Sequence, residues 1–174
     1  MLVLEEYIRN NELQKIPVYI DGMIWEATAI HAAYPEYLNK ELRERIFKKS
    51  DNPFLSDIFV RVDTSDRRGK IINDPDPAVI LATSGMMNGG PVMEYFINLS
   101  ENPKNALIFV GYQAEGTLGR HIQRGEKSIT LSHMGKMNTI NINMEIATVE
   151  GFSGHADRKQ LLQFITSMHP RPNK

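Results

Sequence analysis

The chain has 174 residues, 41% of them hydrophobic, which allows one large domain or a little more with a substantial core and excludes a disordered chain. The absence of cysteine excludes disulfides, thiolate catalysis and cysteine-ligated zinc, and a formal net charge of −1 excludes a general positive field for nucleic acid. Because no apolar run reaches the ~20 residues of a membrane span and no basic-then-apolar leader precedes the first element, we expect a cytoplasmic protein without membrane contact.

The first half of the chain begins with an apolar stripe at helical spacing. The stripe starts directly after Met1 without a capping residue, which suggests that the sequence is a piece of a longer chain. Residues 16–20 then form a short apolar run that Asp21 and Gly22 end, as is typical of a buried strand. The spacing predicts helices over 23–33 and 36–49. Residues 50–77 are expected to be irregular, apart from a short strand at 58–62.

The second half contains two successive units of strand, glycine loop and helix. Their segments are 78–83, 84–90 and 91–99, followed by 106–110, 111–116 and 117–123. Such units predict crossover connections and a parallel sheet with helices on both faces. Two further extended runs, 128–131 and 139–149, follow. We therefore expect an α/β fold, a three-layer α/β/α Rossmann-like domain with 16–20, 78–83 and 106–110 as largely parallel central strands.

Ligands of parallel α/β sheets bind beyond the carboxyl ends of the strands, where three glycine-containing loops fall in this sequence: 84–90, 111–119 and 151–154. The first loop has no Walker lysine and no G-x-G-x-x-G register, which disfavours a nucleotide site. Its backbone amides could bind an anion, or its glycines could simply form a tight turn.

The second loop carries a tyrosine and an arginine of the kind that bind RNA. Tyr112 could stack on a base and Arg120 could contact a phosphate, but Tyr112 could equally be a half-buried aromatic residue. Glu115 and Thr117 could cap the helix that follows.

Residues 151–157, with the sequence GFSGHAD, place a histidine just before a helix. Asp157 and Gln160 have the spacing of a capping box, so His155 is expected at a helix N-terminus, where an anionic ligand is favoured. The alternative is an ordinary surface histidine. No close pair of histidines is present to build a zinc site, so the residues alone indicate one candidate proton donor and an incomplete active site.

Three motifs read in order, ATSGMM (82–87), GYQAEGTL (111–118) and GFSGHAD (151–157), resemble those of the β-CASP nucleases. Within them the chain looks closest to archaeal homologues of the catalytic subunit of the cleavage and polyadenylation specificity factor. The resemblance covers essentially the whole chain. It implies a β-CASP cassette that lies as a lid on a metallo-β-lactamase domain with two zinc ions, with RNA cleaved in the cleft between them.

The resemblance also implies the roles of individual residues. His155 matches the motif B histidine, which assists departure of the leaving oxygen. The RNA-binding residues would be Ser84, Gly85, Asn88, Tyr112, Glu115, Thr117, Arg120 and Ser153. The zinc ligands would lie before Met1 and beyond Lys174, so residues 1–150 would be the β-CASP domain and residues 151–174 the first piece of the returning metallo-β-lactamase domain.

The resemblance thus implies the RNA-binding lid domain of a zinc-dependent endoribonuclease of RNA 3′-end processing. Its partners would be single-stranded RNA and the metallo-β-lactamase domain of the same parent chain, and the parent could form a homodimer. We expect this piece alone to bind no zinc and to cleave no RNA. The alternative is a non-catalytic RNA-binding or assembly module of an inactive paralogue. An independent nucleotide-binding protein is disfavoured by the glycine register.

Overall fold

The computed structural model describes residues 1–133, 136–152 and 154–170. The helices of this part are α1 (Leu2–Arg9), α2 (Ile24–Ala33), α3 (Lys40–Lys49), α4 (Ser65–Ile72), α5 (Pro91–Leu99), α6 (Leu118–Gln123) and α7 (Arg158–Ser167). Its strands are β1 (Val18–Asp21), β2 (Phe59–Val62), β3 (Val79–Ala82), β4 (Ala106–Phe109), β5 (Ser128–His133), β6 (Lys136–Asn141) and β7 (Glu145–Thr148). Among the residues described, no helix combines the length and apolar content that crossing a bilayer requires.

The strand pairing is mostly parallel. One sheet has the order β2-β1-β3, with Val18 of β1 opposite Phe59 and Val79. A second sheet pairs β4 with β7 in parallel, and β5 and β6 form an antiparallel hairpin. The predicted α/β class with a mostly parallel sheet is confirmed. The strand predicted at 106–110 is present as β4, but its hydrogen-bonding partner is β7 rather than a strand of the first sheet.

The first sheet is covered on both faces, which gives the expected three layers. On one face, Val18 and Ile20 of β1 pack in a cluster that includes Ile8 of α1 and residues of α2. On the other face, Val62 of β2 packs with Ile71 of α4 and with residues of α5. Successive side chains of each strand point to opposite faces and so contribute to both clusters. The continuous apolar runs predicted such burial on both faces.

Helix α5 connects this sheet to a second core. Phe96 belongs to a buried cluster with Phe109 of β4 and Ile122 of α6, whereas Tyr95, the preceding residue, packs against the first sheet. Phe96 is only 3% exposed. Truncating such a residue to alanine costs about 3–5 kcal/mol. The position of α5 is therefore fixed from two sides.

The region 50–77 contains a helix that the sequence analysis did not predict. Thr64 caps α4 by accepting a hydrogen bond from the amide of Arg67 at 3.2 Å. The helix escaped prediction because Gly69 lies in its interior and because its apolar residues, Ile71 and Ile72, are confined to its last turn. The strand predicted at 58–62 is present as β2.

Two long predicted elements are each divided. The helix predicted at 36–49 is a 3-10 turn (Pro35–Tyr37) followed by α3, because Asn39 caps the new helix by accepting from the Leu42 amide at 2.9 Å. The extended run 139–149 is divided between β6 and β7. Asn143 and Met144 lie between the two strands, and their amides both donate to the Ser100 carbonyl, at 2.9 Å each.

A buried carboxylate at the end of β1 joins the two helices on one face of the first sheet. Asp21 is 2% exposed and accepts from Arg68 Nε at 2.7 Å, from Arg68 Nη2 at 3.0 Å and from the Tyr95 hydroxyl at 2.9 Å. Arg68 Nη1 also donates to Glu94 at 2.8 Å. Burial and the hydrogen bond to Asp21 raise the pKa of Tyr95, and the hydrogen bond to Asp21 raises the pKa of Arg68. Strand β1, α4 and α5 thus meet at one buried charge.

We predict that Tyr95→Phe reduces the loss of stability that the protein undergoes at alkaline pH. In the folded protein the pKa of this hydroxyl lies above its ordinary value of about 10, so the folded state keeps a proton that the unfolded chain releases. The free energy of unfolding should therefore fall as pH rises above about 10, and fall less steeply in Tyr95→Phe. At neutral pH the variant should lose about 1 kcal/mol for the missing hydrogen bond. Urea unfolding between pH 8 and 11 measures both effects.

The matched control is Tyr37→Phe, because Tyr37 is 84% exposed. It should leave the pH dependence unchanged. Identical slopes for Tyr95→Phe and the unmodified chain would contradict the role given to the Tyr95 hydroxyl.

Candidate nucleic-acid interface

The 84–90 loop lies where the strand order of the first sheet reverses. The chain passes from β1 to β2 on one side and then to β3 on the other, and the carboxyl ends of the strands at such a reversal are where open parallel α/β sheets generally bind ligands. Gly22, directly after β1, has a φ of 84°, and a Cβ on it would overlap Thr83 Oγ1. Glycine is required there because the end of β1 closely approaches the start of the loop.

The 84–90 loop is anchored by a buried methionine and has several backbone amides that are not paired within the loop. Met87 is 2% exposed and belongs to the second core, while Gly85 and Asn88 are exposed. The Ser84 hydroxyl accepts from the Asn88 amide at 3.4 Å. Within the described part of the chain, no acceptor is present for the backbone amides of residues 85, 86, 89 and 90. Together with the N-terminus of α5, these amides form a local environment that favours an anion.

The 111–119 loop contacts the 84–90 loop through two hydrogen bonds. Gln113 Nε2 donates to the Gly85 carbonyl at 2.8 Å, and the Gly119 amide donates to the Met86 carbonyl at 3.3 Å. Gln113 is 2% exposed. The two loops therefore form one surface, and Gln113 is a residue of this surface that the sequence analysis did not single out.

Tyr112 and Thr117 differ in what they offer to a ligand. Tyr112 is 73% exposed, so its ring is available for stacking and is not the half-buried aromatic that the sequence left open. Thr117 caps α6, accepting from the Arg120 amide at 3.3 Å and donating to the Ala114 carbonyl at 2.7 Å. Thr117 thus orients the first turn of the helix that carries Arg120.

Glu115 is an ion-pair partner rather than a helix cap. Its carboxylate lies 3.2 Å from Arg120 Nε and 2.8 Å from Arg124 Nη2, and all three side chains are partly exposed. Arg120 Nη1 also donates to Gln123, whose Nε2 donates to Thr148 at the end of β7. The two arginines are thus held at the surface beside the loops, and Arg124 is a second cation of this surface.

His155 follows β7 at the same edge of the second sheet as the 111–119 loop. The amide of Val149 donates to the Phe109 carbonyl at 2.8 Å, so the segments after β4 and β7 begin side by side. The predicted capping box is confirmed. Asp157 accepts from the Gln160 amide and the Gln160 side chain accepts from the Asp157 amide, each at 2.8 Å. His155 is exposed just before the capped N-terminus of α7.

The structure therefore brings the two predicted loops together and starts the His155 segment beside them. The predicted residues that it describes in this region are Ser84, Gly85, Asn88, Tyr112, Glu115, Thr117, Arg120 and His155. Ser153 lies outside the described residues. Gln113 lies within the GYQAEGTL motif, but the sequence analysis assigned it no role, because a sequence does not show whether a loop glutamine is buried.

The described residues do not fit a zinc centre. Within 1–133, 136–152 and 154–170, no group of three or more His, Asp or Glu side chains is placed to hold a metal ion. A hydrolytic zinc site needs about three converging protein ligands.

Two family models match the chain. The family model of the Beta-Casp domain matches residues 1–122, and that of the Zn-dependent metallo-hydrolase RNA specificity domain matches residues 139–172. The chain belongs to the β-CASP family.

The chain is also similar to named archaeal proteins. Transcription termination factor FttA of Methanosarcina mazei is 58% identical over the whole chain, and that of Methanocaldococcus jannaschii is 57% identical. The FttA of Lokiarchaeum sp. is 49% identical over 99% of the chain. The chain spans 27–28% of the length of these relatives.

Proposed function

We propose that this segment is the RNA-binding lid domain of a zinc-dependent endoribonuclease that hydrolyses phosphodiester bonds. The observation that carries the proposal is the joined surface of the 84–90 and 111–119 loops, where backbone amides without an acceptor among the described residues lie beside an exposed tyrosine and two arginines. The relatives are called transcription termination factors, so we assign the cleavage to the formation of RNA 3′ ends. Residues 1–150 would form the β-CASP domain.

In this proposal the 84–90 loop binds a phosphate of the RNA backbone. The amides of Gly85 and Met86, which have no acceptor among the described residues, donate to it, the Ser84 hydroxyl and the Asn88 side chain lie alongside, and the N-terminal end of α5 adds a favourable partial charge. Phosphate contacts of this kind position the strand without reading its sequence.

The 111–119 loop binds the neighbouring nucleotide. Tyr112, at 73% exposure, provides a ring on which an unpaired base can stack, and Arg120 and Arg124 provide cations for the next phosphate. Stacking on an open ring requires an unpaired base, which favours single-stranded RNA over a duplex.

His155 acts at the scissile bond by donating a proton. As a hydroxide formed from water bonds to phosphorus and the bond between phosphorus and the leaving oxygen breaks, an N–H of the protonated imidazole ring transfers its proton to that oxygen. The product leaves as an alcohol, and the imidazole is left neutral. The exposed position of His155 before α7 makes the ring accessible to a substrate that lies over the joined loops.

The remaining parts of the active site would come from the rest of the parent chain. Helix α7 and the residue that follows it carry an apolar face whose residues are all at least 40% exposed in this segment: Leu161, Leu162, Phe164, Ile165 and Met168. An apolar stripe of this size is normally buried. We propose that residues 151–174 begin the returning metallo-β-lactamase domain of the same parent, which would cover this face and supply the zinc ligands.

We predict that Glu115→Gln strengthens RNA binding by the full-length parent. Glu115 neutralises Arg120 and Arg124, so its replacement frees two cations for phosphates. The affinity for single-stranded RNA should rise several-fold at low salt. The plot of log K against log salt should steepen by about 0.7 for each further phosphate that an arginine neutralises. Fluorescence anisotropy over a salt series measures both quantities.

Glu126→Gln is the matched control for this experiment. Glu126 lies in the turn that follows α6 and pairs with His121 Nδ1 at 2.6 Å, so its replacement removes the same charge without releasing an arginine. An increase in affinity no larger than that of Glu126→Gln would contradict the release of the arginines. Weaker binding by Glu115→Gln would show instead that Glu115 itself contacts RNA.

We predict that His155→Ala lowers the cleavage rate of the full-length parent by about two to four orders of magnitude with zinc content unchanged, the range expected for loss of a general acid. A substrate with a better leaving group should be much less sensitive, because its oxygen departs without a proton. Single-turnover kinetics with the two substrates measure this difference.

The matched control is His31→Ala, which removes an exposed histidine on α2. It should leave the rate unchanged. Equal losses for both substrates in His155→Ala, or loss of zinc, would refute the role of proton donor. A wild-type parent that binds RNA but cleaves none would support the alternative, a non-catalytic RNA-binding module.

A further inference from the structure

Gln113 is a buried polar side chain in an otherwise exposed loop. It is 2% exposed, whereas its neighbour Tyr112 is 73% exposed. Its Nε2 donates to the Gly85 carbonyl at 2.8 Å and to the Gly111 carbonyl at 3.2 Å. Its Oε1 is buried without a partner within the described part of the chain. The position of the side chain therefore satisfies its two N–H donors and leaves its carbonyl acceptor without a hydrogen bond, which is costly in a buried site.

The adjacent helix leaves space for this side chain only because residue 119 is glycine. A Cβ at Gly119 would overlap Gln113 Oε1 and would lie 3.2 Å from the Met86 carbonyl oxygen. The Gly119 amide donates to that same carbonyl at 3.3 Å. Two consecutive carbonyls of the 84–90 loop, those of Gly85 and Met86, thus point toward the 111–119 loop.

The direction of the Gly85 carbonyl determines where the next amide points. The peptide bond between Gly85 and Met86 is trans, so its carbonyl and its N–H point in opposite directions. Because Gln113 draws the carbonyl toward the 111–119 loop, the Met86 N–H points away from that loop. This N–H has no acceptor among the described residues.

We propose that Gln113 is a positioning residue for RNA, which orients the Gly85–Met86 peptide so that the Met86 N–H donates to a backbone phosphate. The inference rests on the proposed function, since it assigns the ligand of the 84–90 loop. Gln113 itself does not touch the RNA. It fixes the donor before the ligand arrives, so binding does not have to order the loop.

The test uses the full-length parent protein with two variants that release the peptide in different ways. Gln113→Met keeps the length of the side chain and removes both donors. Gly119→Ala keeps Gln113 but adds a Cβ that displaces the side-chain amide of Gln113. In each variant, amide hydrogen exchange within 84–90 should accelerate about tenfold or more without RNA, and the Kd for single-stranded RNA should rise about tenfold.

Two control variants separate this role from a general loss of stability. Asn105→Ala removes a comparable hydrogen bond, from Asn105 Nδ2 to the Leu99 carbonyl at 3.0 Å, at the C-terminal end of α5. Gly69→Ala adds a Cβ that meets no atom within 4 Å. Both controls should leave exchange within 84–90 and the RNA affinity unchanged, whatever their effect on the thermal midpoint.

The outcomes also separate this inference from the proposed function. In the wild-type protein, bound RNA should slow exchange of the Met86 amide, and no slowing would refute RNA binding by this loop and the inference with it. If RNA protects that amide but Gln113→Met and Gly119→Ala bind RNA as tightly as Asn105→Ala, the proposed function stands and the role of Gln113 is refuted. Unchanged exchange within 84–90 in both variants would refute it as well.

Discussion

The carboxylate of Asp21 is the group on which the arrangement of the loops depends. It is buried at the end of β1, where an unpaired charge would be strongly destabilising, and it is satisfied by Arg68 from α4 and Tyr95 from α5. Removing one partner of a buried ion pair typically costs about 3–5 kcal/mol, because the other charge remains buried. The two helices are therefore held at one point beside the carboxyl end of the first sheet.

Fixing α5 also fixes the 84–90 loop, because the loop is the connection from β3 to α5. Phe96 anchors the helix in the second core and Met87 anchors the loop in the same core, so the loop is held at both ends and in its middle. Buried residues set the conformation, and exposed residues such as Gly85 and Tyr112 are left to contact a ligand. This division lets a loop serve as a binding site without first having to become ordered.

Much of the scaffold could be predicted from the sequence because the signals are local. Short apolar runs that end in a turn or a glycine loop located β1, β3 and β4, and the spacing of Asp157 and Gln160 located the start of α7. Helix α4 could not be predicted, since its apolar residues are confined to one turn. The pairing of β4 with β7 depends on contacts between distant parts of the chain, which no local pattern reports.

The same distinction applies to the candidate site. Glycine, tyrosine and histidine in loops after strands indicated where a ligand would bind, and the resemblance in the motifs indicated RNA. The ion pair between Asp21 and Arg68 spans 47 positions of the sequence, and the contact between Gln113 and Gly85 spans 28. A buried glutamine and an exposed one look identical in a sequence. The groups that orient the site were therefore visible only in the folded chain.

The central claim is that RNA lies over the joined 84–90 and 111–119 loops, and ultraviolet crosslinking of single-stranded RNA to the full-length protein tests it most directly. Tyr112 is 73% exposed at the proposed site. Tyr37, on the 3-10 turn between α2 and α3, is 84% exposed and serves as an internal control, because both side chains are tyrosines with the same photochemical reactivity. The account predicts that mass spectrometry finds the crosslink on the peptide containing Tyr112 and not on the one containing Tyr37. Crosslinks concentrated at Tyr37, with Tyr112 unmodified, would contradict it.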